Sequence, residues 1–156
     1  MEDEGNSVRC ISLWQPHPTA IMLGLKIYET RGWSTEYRGP IAIHAAKKPF
    51  RYKDYDLGYY QEVCKLLSRA GCPKFALDYG KVLCIADLVD CIPTGKLRGR
   101  IGQAEFWGDF RDVGDDGKER FAFKLENVRV IPAHKRPAVI GRQKWFDVPN
   151  DILQFN

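Results

Sequence analysis

The sequence predicts a single α+β domain in which about six strands and one or two main helices form a small mixed β-barrel. The chain has 156 residues, and a chain of this length buries roughly 70% of its unfolded surface in one core. Several apolar runs have the composition of strands, and only two segments carry helical signals. The apolar runs at 80–92 and 120–131 are long enough to curve, which favours closure into a barrel.

The first half of the chain contains both predicted helices. RCISLWQP at 9–16 predicts a strand that stops at proline, and HPTAIMLGL predicts a short helix with Gly24 as its left-handed cap. KIYETR is strand-like, and the YRGP turn leads into IAIHAA, an apolar run typical of a buried strand. The second helix falls within 53–71 and ends at Gly71. Its predicted apolar face consists of Tyr59, Val63, Leu66 and Leu67.

The second half of the chain is dominated by strands. Residues 80–92 predict a long, bent central strand, which the following proline ends. Residues 101–110 predict an irregular or short helical segment, and 112–119 have the composition of a turn. Alternating apolar residues at 120–131, namely Phe121, Phe123 and Leu125, predict another long strand, and 143–149 predict a final short one.

The N-terminal residues, the lengths of the apolar runs and the cysteine spacing limit the kinds of protein and partner that the sequence allows. Residues 1–8 are acidic and polar, so we expect a flexible tail there and a single domain over 9–156. No apolar run approaches the roughly 20 residues of a membrane span, so no membrane partner is predicted. The five cysteines include no C-x-x-C pair and no histidine at ligand spacing. We therefore expect no metal site, no cofactor and a reducing, cytoplasmic setting.

The positive charges are segregated along the chain. The net charge is only +4, but the segments 38–53, 91–104 and 129–146 contain Lys and Arg without any acidic residue. This segregation favours an anionic partner such as a phosphate backbone. The alternative is three unrelated basic loops on separate faces. The candidate phosphate contacts are Arg38, Lys47, Lys48, Arg51, Arg98 and Arg100.

One motif and its surroundings identify a family. GLKIYETR, from Gly24 to Arg31, has the pattern G-x-K-x-x-E-x-R, with SLWQP before it and Trp33 and YRGPIAIHAAKK after it. VLCIADLVDC, FWGDF and FAFKLENVRVI…GRQKWFDVP follow in order. Together these segments resemble the ASCH (activating signal cointegrator homology) domain of the PUA-like superfamily, over about 9–149. The chain departs from many members by having His17-Pro18 in place of Trp-Ala.

The resemblance implies a PUA-like barrel with a cleft between the first helix and the strands. Some members bind nucleic acid, a bacterial branch removes acyl groups from modified cytidine, and weak nuclease activity is also associated with the family. We therefore expect a nucleic-acid-binding protein whose partner is RNA, another nucleic acid or a nucleotide-like small molecule. The alternatives are a hydrolase of modified nucleosides or a metal-independent ribonuclease, and a protein-interaction module whose charges face water.

The motif supplies most of the predicted pocket. On one strand, Glu29 and Arg31 share a face and can pair, whereas Lys26 joins them only if the chain bends after the glycine. Lys26 and Glu29 are the catalytic candidates if the protein is an enzyme. The negative charge of Glu29 favours the ammonium form of Lys26, and therefore binding over lysine-based catalysis. The deacylating branch has a threonine at the position of Glu29, which argues against that chemistry. The predicted ligand-binding residues are Gln15, His17, Lys26, Glu29, Arg31 and Trp33.

The aromatic residues and histidines receive separate predictions. Trp33 is the expected stacking wall for a base, since it follows the motif among polar neighbours. The other three indoles, of Trp14, Trp107 and Trp145, are expected to pack. His44 lies in an apolar run and is predicted as a core histidine, whereas His17 is the candidate general acid or base. The Gln15 amide is predicted to read a base edge. As accessible charges, Lys26 and Arg31 are expected to add little stability.

Overall fold

The computed structural model describes residues 6–153, which form six β-strands and two α-helices. The strands are β1 (Ser7–Leu13), β2 (Tyr28–Arg31), β3 (Gly39–Ala45), β4 (Lys81–Pro93), β5 (Phe121–Val130) and β6 (Phe146–Pro149). The helices are α1 (His17–Met22) and α2 (Leu57–Arg69), and a short 3₁₀ helix covers Gly102–Trp107. The predicted α+β class, with about six strands and one or two main helices, is confirmed.

The six strands form one mixed sheet in the order β2-β5-β4-β3-β1-β6. β1 and β3 are parallel, and the other neighbours are antiparallel. Register shifts between Ile85 and Asp87 and between Leu88 and Asp90 interrupt the β4–β5 ladder, and such bulges bend a strand. Within residues 6–153 no ladder joins β2 to β6. The sheet is therefore curved like a small barrel but remains open between its edge strands.

The start of the sheet lies inside the segment predicted as a tail. Ser7 is opposite Pro149 of β6, and Val8 is opposite Val148. The last residues of 1–8 therefore belong to a strand. The remainder of that segment, 1–5, lies outside the described residues.

Two of the apolar clusters contain the residues by which the helices pack. Between α1 and the sheet lies a core that includes Ile21 of α1, Ile43 of β3 and Phe123 of β5. The second cluster lies under α2, where Val63 and Leu67 are completely buried and the flanking Tyr59 and Leu66 are partly buried. Burying one such aliphatic side chain stabilises the fold by about 1.5–3 kcal/mol. The predicted apolar face of α2 is therefore the face that packs.

The glycine at the start of the motif sets the direction of the chain after α1. Gly24 has φ +81°, a conformation that a residue without Cβ adopts at little cost. The Leu25 N–H donates to the Ala20 carbonyl and the Gly24 N–H to the Ile21 carbonyl, at 2.9 and 3.1 Å, which is a Schellman cap. The chain turns immediately after α1, so Lys26 precedes β2 instead of lying within it.

Candidate functional site

The centre of the site is the buried ammonium group of Lys26. This residue is 2% exposed, and its Nζ lies 3.2 Å from Glu29 Oε1 and 3.0 Å from His17 Nδ1. Nζ also donates a short hydrogen bond to the Trp107 carbonyl oxygen. An ammonium has three donors, and here each one faces an acceptor. The bend after Gly24 is what brings Lys26 to Glu29.

Burial and mutual attraction act in opposite directions on these groups. Burial lowers the pKa of Lys26, and the charge of Glu29 opposes that change. Burial would raise the pKa of Glu29, but the charges of Lys26 and Arg31 hold it below its ordinary value. Burial and the charge of Lys26 lower the pKa of His17 to about 3. His17 is therefore neutral near pH 7 and accepts a hydrogen bond from Lys26, so the predicted acid–base role has no support in its electrostatics.

Arg31 extends the network towards solvent. Its Nε lies 2.9 Å from Glu29 Oε2, an ion pair that lacks the angle of a hydrogen bond. Its Nη2 donates to the Ser12 carbonyl oxygen at 2.9 Å. Among the described residues, no hydrogen-bond acceptor faces Nη1. The guanidinium is thus oriented by protein atoms at two of its nitrogens, and the third can bind a ligand.

The segment around FWGDF closes one side of the site. The Asp109 N–H donates to Thr30 Oγ1 at 3.1 Å, and Arg120 donates to the same oxygen at 3.2 Å. A Cβ on Gly108 would lie 2.9 Å from the Thr30 methyl group, so only glycine allows this approach. The segment therefore docks on β2 and delivers the Trp107 carbonyl to Lys26.

These groups open into a cavity of about 580 Å³, which we call the first pocket. This volume is within the range of small-molecule sites. Trp14 forms part of its wall and is 57% exposed, with Lys48 Nζ 3.6 Å from the centre of its ring. The polar lining consists of Ser12, His17, Lys26, Glu29, Thr30, Arg31, Asp109, Asp116, Lys118 and Arg120.

The structure places two indoles differently from their predictions. Trp33 lines the pocket but packs edge-on against Phe123 and Trp145, with ring centres 5.2 and 5.6 Å away. Trp14 lies just beyond β1, where the sheet no longer covers it. The packing prediction for Trp14 is therefore wrong, because this residue is 57% exposed and, among the described residues, carries only the Lys48 ammonium over its ring. Trp107, at 4% exposure, packs as predicted, as does the partly buried Trp145.

Gln15 does not reach the first pocket. It is 1% exposed, its Nε2 donates to the Asp78 carbonyl at 2.8 Å, and its Oε1 accepts from the Thr19 N–H at 3.3 Å. Both ends of the amide are occupied by backbone groups, so the predicted base contact is replaced by a structural role. His44 is a buried core histidine, as predicted. It contacts Ser12 Oγ at 2.8 Å and the Val139 carbonyl at 2.7 Å.

A second cavity of about 690 Å³ adjoins the first, and we call it the second pocket. The loop from Val139 to Lys144 covers it opposite the ends of β1 and β3. Ser12, Trp14, Arg31 and Trp33 line both pockets, so they form a shared wall. The second pocket is also lined by His44, Ala46, Lys47, Val139, Ile140, Gly141, Arg142, Gln143 and Lys144.

Among the six cations predicted to contact phosphates, only two lie at these pockets. Lys47 lines the second pocket, and Lys48 contacts the ring of Trp14 in the shared wall. Three others have carboxylate partners, and Arg100 is exposed with no ion pair among the described residues. The paired cations are Arg38 with Asp90, Arg51 with Asp54 and Arg98 with Asp112, at 3.8, 3.1 and 3.0 Å.

Several site residues were absent from the sequence prediction. Arg142 and Lys144 line the second pocket. They lie in the segment 129–146, which the sequence shows to be basic and free of acidic residues. Asp109 and Arg120 line the first pocket, and the FWGDF segment was a signal for Asp109. Trp14 was missed because its strand register suggested a buried position.

Residues 6–153 lack the features of a metal centre and of a membrane span. No group of three or more His, Cys, Asp or Glu side chains in this part of the chain is arranged to hold a metal ion. No helix there is long and apolar enough to cross a bilayer. All five cysteines are free thiols.

Comparison with known proteins gives concordant results. The ASCH domain profile matches residues 11–131. Activating signal cointegrator 1 is 31% identical over 121 residues in Homo sapiens and 30% over 120 in Mus musculus. Each match covers 76% of this chain but only 19% of the relative, so the chain spans about a fifth of these proteins. The crystal structure of ASCH from Zymomonas mobilis superposes with a TM-score of 0.55 at 18% identity, covering 92% of this chain and 89% of that one. This last likeness concerns the fold.

Proposed function

This chain belongs to the ASCH domain family, and we propose that it binds nucleic acid, RNA in the first instance, through the first pocket. Family membership supports a nucleic-acid-related role in general terms. The finer proposal rests on one observation, the buried Lys26–Glu29–Arg31 network that opens into a cavity beneath an exposed indole. The RNA preference and the cytoplasmic setting stay predictions.

The network suits recognition because its polar groups are already oriented. Glu29 holds Arg31 from one side and Lys26 from the other, so neither cation must reorganise when a ligand enters. A planar guanidinium with a free nitrogen can donate to a base edge or a phosphate oxygen. Trp14 offers a face for stacking, which tolerates any base. The arrangement therefore fits one nucleotide, with its base against the Trp14 indole and either its base edge or its phosphate at Arg31.

A binding measurement tests this proposal. Fluorescence anisotropy with a labelled single-stranded RNA, and DNA of the same sequence, should show saturable binding that weakens steeply with salt. Arg31→Lys keeps the charge but not the guanidinium geometry, so we expect affinity to fall by roughly 1–3 kcal/mol. Lys65→Ala, an exposed change on α2 away from both pockets, is the control. No binding at any salt, or affinity independent of salt, would favour a protein-interaction module.

Hydrolysis of a modified nucleoside is a second candidate. It is favoured by the lowered pKa of buried Lys26 beside a carboxylate in a cavity, because a carboxylate can act as a general base on water. The three acceptors around Lys26 Nζ weigh against it, since they leave no free position for a substrate atom. Release of free acid from an acylated cytidine, lost in Glu29→Gln while RNA binding persists, would replace the binding proposal with an enzyme.

A further inference from the structure

The second pocket differs from the first in that three of its four cations have no acidic partner among the described residues, whereas the fourth, Arg31, is paired with Glu29. Arg31, Lys47, Arg142 and Lys144 line it, and no acidic residue does. Among the described residues, Lys47, Arg142 and Lys144 form no ion pair. Like charges gathered at one cavity repel each other, and an anion that enters relieves that repulsion. The second pocket is therefore a cationic site in which only one of four positive charges is compensated by a described acidic residue.

The floor of the second pocket is uncharged and closely packed. Ser12 Oγ contacts His44 Nδ1, and His44 Nε2 contacts the Val139 carbonyl. Burial lowers the pKa of His44, which keeps the imidazole uncharged. A Cβ on Gly141 would lie 2.8 Å from both Ser12 Oγ and His44 Cε1. Only a glycine lets the covering loop approach so closely, and this approach brings Arg142 and Lys144 to the pocket.

The wall between the two pockets is aromatic and cationic. Trp14 and Trp33 line both cavities, and Lys48 and Lys144 lie 3.6 and 5.7 Å from the centres of their respective rings. Arg31 also lines both, with its Nη2 anchored on the Ser12 carbonyl. A ligand that passes from one pocket to the other therefore meets indole faces and a guanidinium. Stacking surfaces with cations between them are characteristic of sites that follow a single strand.

We propose that the second pocket binds the phosphate and sugar of the nucleotide next to the one in the first pocket. The ligand of this protein is then a single strand of at least two nucleotides, and Arg31 contacts the phosphodiester that joins them. This inference rests on the function proposed above. An acidic peptide would satisfy the cations but would leave the indole wall unused, so the nucleic acid is the better match.

A length series of ligands tests the inference. Isothermal titration calorimetry, with NMR shift mapping for weak ligands, should compare a nucleoside monophosphate, a dinucleotide and inorganic phosphate. We expect the dinucleotide to bind at least tenfold more tightly than the mononucleotide. In the double variant Arg142→Gln/Lys144→Asn this advantage should disappear while mononucleotide affinity stays unchanged. Asparagine is chosen because Lys144 has φ +54°, a conformation that asparagine tolerates.

The outcomes separate this inference from the proposed function on which it rests. If neither nucleotide ligand binds, the proposed function fails. If the mononucleotide binds but the dinucleotide gains nothing, or if the double variant keeps the gain, only the two-nucleotide inference is overturned. The inference also fails if inorganic phosphate binds the second pocket as tightly as the dinucleotide does, or if an acidic peptide outcompetes the dinucleotide. Lys65→Ala should retain the full dinucleotide advantage.

Discussion

The first and second pockets share a wall at Trp14 and Arg31, yet they hold their charges in different ways. In the first pocket, buried Lys26 and half-buried Arg31 both contact Glu29. In the second, exposed Lys47, Arg142 and Lys144 have no acidic partner among the described residues. Pairing stabilises the fold and orients groups for a neutral base edge, whereas unpaired cations are available to a phosphate. The difference predicts that loss of a paired charge in the first pocket reduces stability, while loss of an unpaired cation in the second reduces binding alone.

The largest effect is expected from Lys26→Met. The substitution leaves Glu29 buried with only Arg31 as a partner, and removing one member of a buried pair costs about 3–5 kcal/mol. Because Arg31 remains, we expect a decrease of about 3 kcal/mol in the free energy of unfolding, measured with urea. The burial of Lys26 corrects the expectation from the sequence that Lys26 and Arg31, as accessible charges, add little stability.

Lys118→Met is the matched control for that measurement. Lys118 lines the same pocket but is exposed, and it forms no ion pair within residues 6–153. Its removal should change the unfolding free energy by less than about 0.5 kcal/mol. Equal decreases in the two variants would show that the Lys26 network is no more stabilising than an exposed charge.

Trp14→Ala should separate binding from stability at the shared wall. Removal of a base-stacking indole costs roughly 1–3 kcal/mol of RNA affinity, and the unfolding free energy should barely change because Trp14 is 57% exposed. Trp14→Phe should restore part of the affinity, whereas Trp33→Leu should destabilise the fold because the Trp33 ring packs against two other aromatic rings. Anisotropy and urea titrations on the same samples check this. Unchanged RNA affinity in Trp14→Ala would show that Trp14 does not stack on a base of the RNA.

The neutral His17 in the first pocket predicts a decrease of stability in mild acid. Its pKa of about 3 in the folded state lies below its ordinary value, so between pH 6.5 and 5 only the unfolded chain takes up this proton. The contribution of neutral His17 to the free energy of unfolding is therefore complete above pH 6.5 and decreases towards pH 3. Between pH 6.5 and 5 the decrease is about 1.5 kcal/mol. The pKa of Glu29 is held below its ordinary value by Lys26 and Arg31, so Glu29 titrates below that window.

Urea midpoints measured across that pH range test this prediction. His17→Gln keeps a polar group next to Lys26 but cannot titrate, so its stability should fall less steeply with acid. A residual slope is expected from His44, whose pKa is also lowered by burial. An identical slope in the variant and the parent would mean that the pKa of His17 is not lowered by folding.

The smallest effect on stability is expected in the second pocket. Arg142→Gln/Lys144→Asn should change the unfolding free energy by no more than about 0.5 kcal/mol. The slope of log affinity for RNA against log salt should become shallower by about 0.7 for each phosphate that the variant no longer neutralises. Lys65→Ala should leave the slope unchanged. A decrease in stability as large as that of Lys26→Met would remove the distinction between the two pockets.

Sequence reasoning found the motif but not the depth of its burial. The spacing from Gly24 to Arg31 predicted the glycine cap and the Glu29–Arg31 pair, and it placed Lys26 beside that pair only on condition that the chain bends after the glycine. It could not show that Lys26 is 2% exposed, because the Trp107 carbonyl and His17 that enclose it come from separate segments. Gln15 has the chemistry of a base contact, and only the positions of Asp78 and Thr19 show that its amide is already bonded.

The sequence by itself determined the element order, the mixed α+β class, the caps and the cationic segments, because these depend on local periodicity, turn chemistry and composition. The tertiary structure alone decided which charges remain unpaired. Arg38 and Arg98 lie opposite aspartates far along the chain, whereas Lys47 and Lys144 meet at one cavity without an acid. Charge pairing depends on distances of a few ångströms across the folded chain, and local patterns carry no information about them.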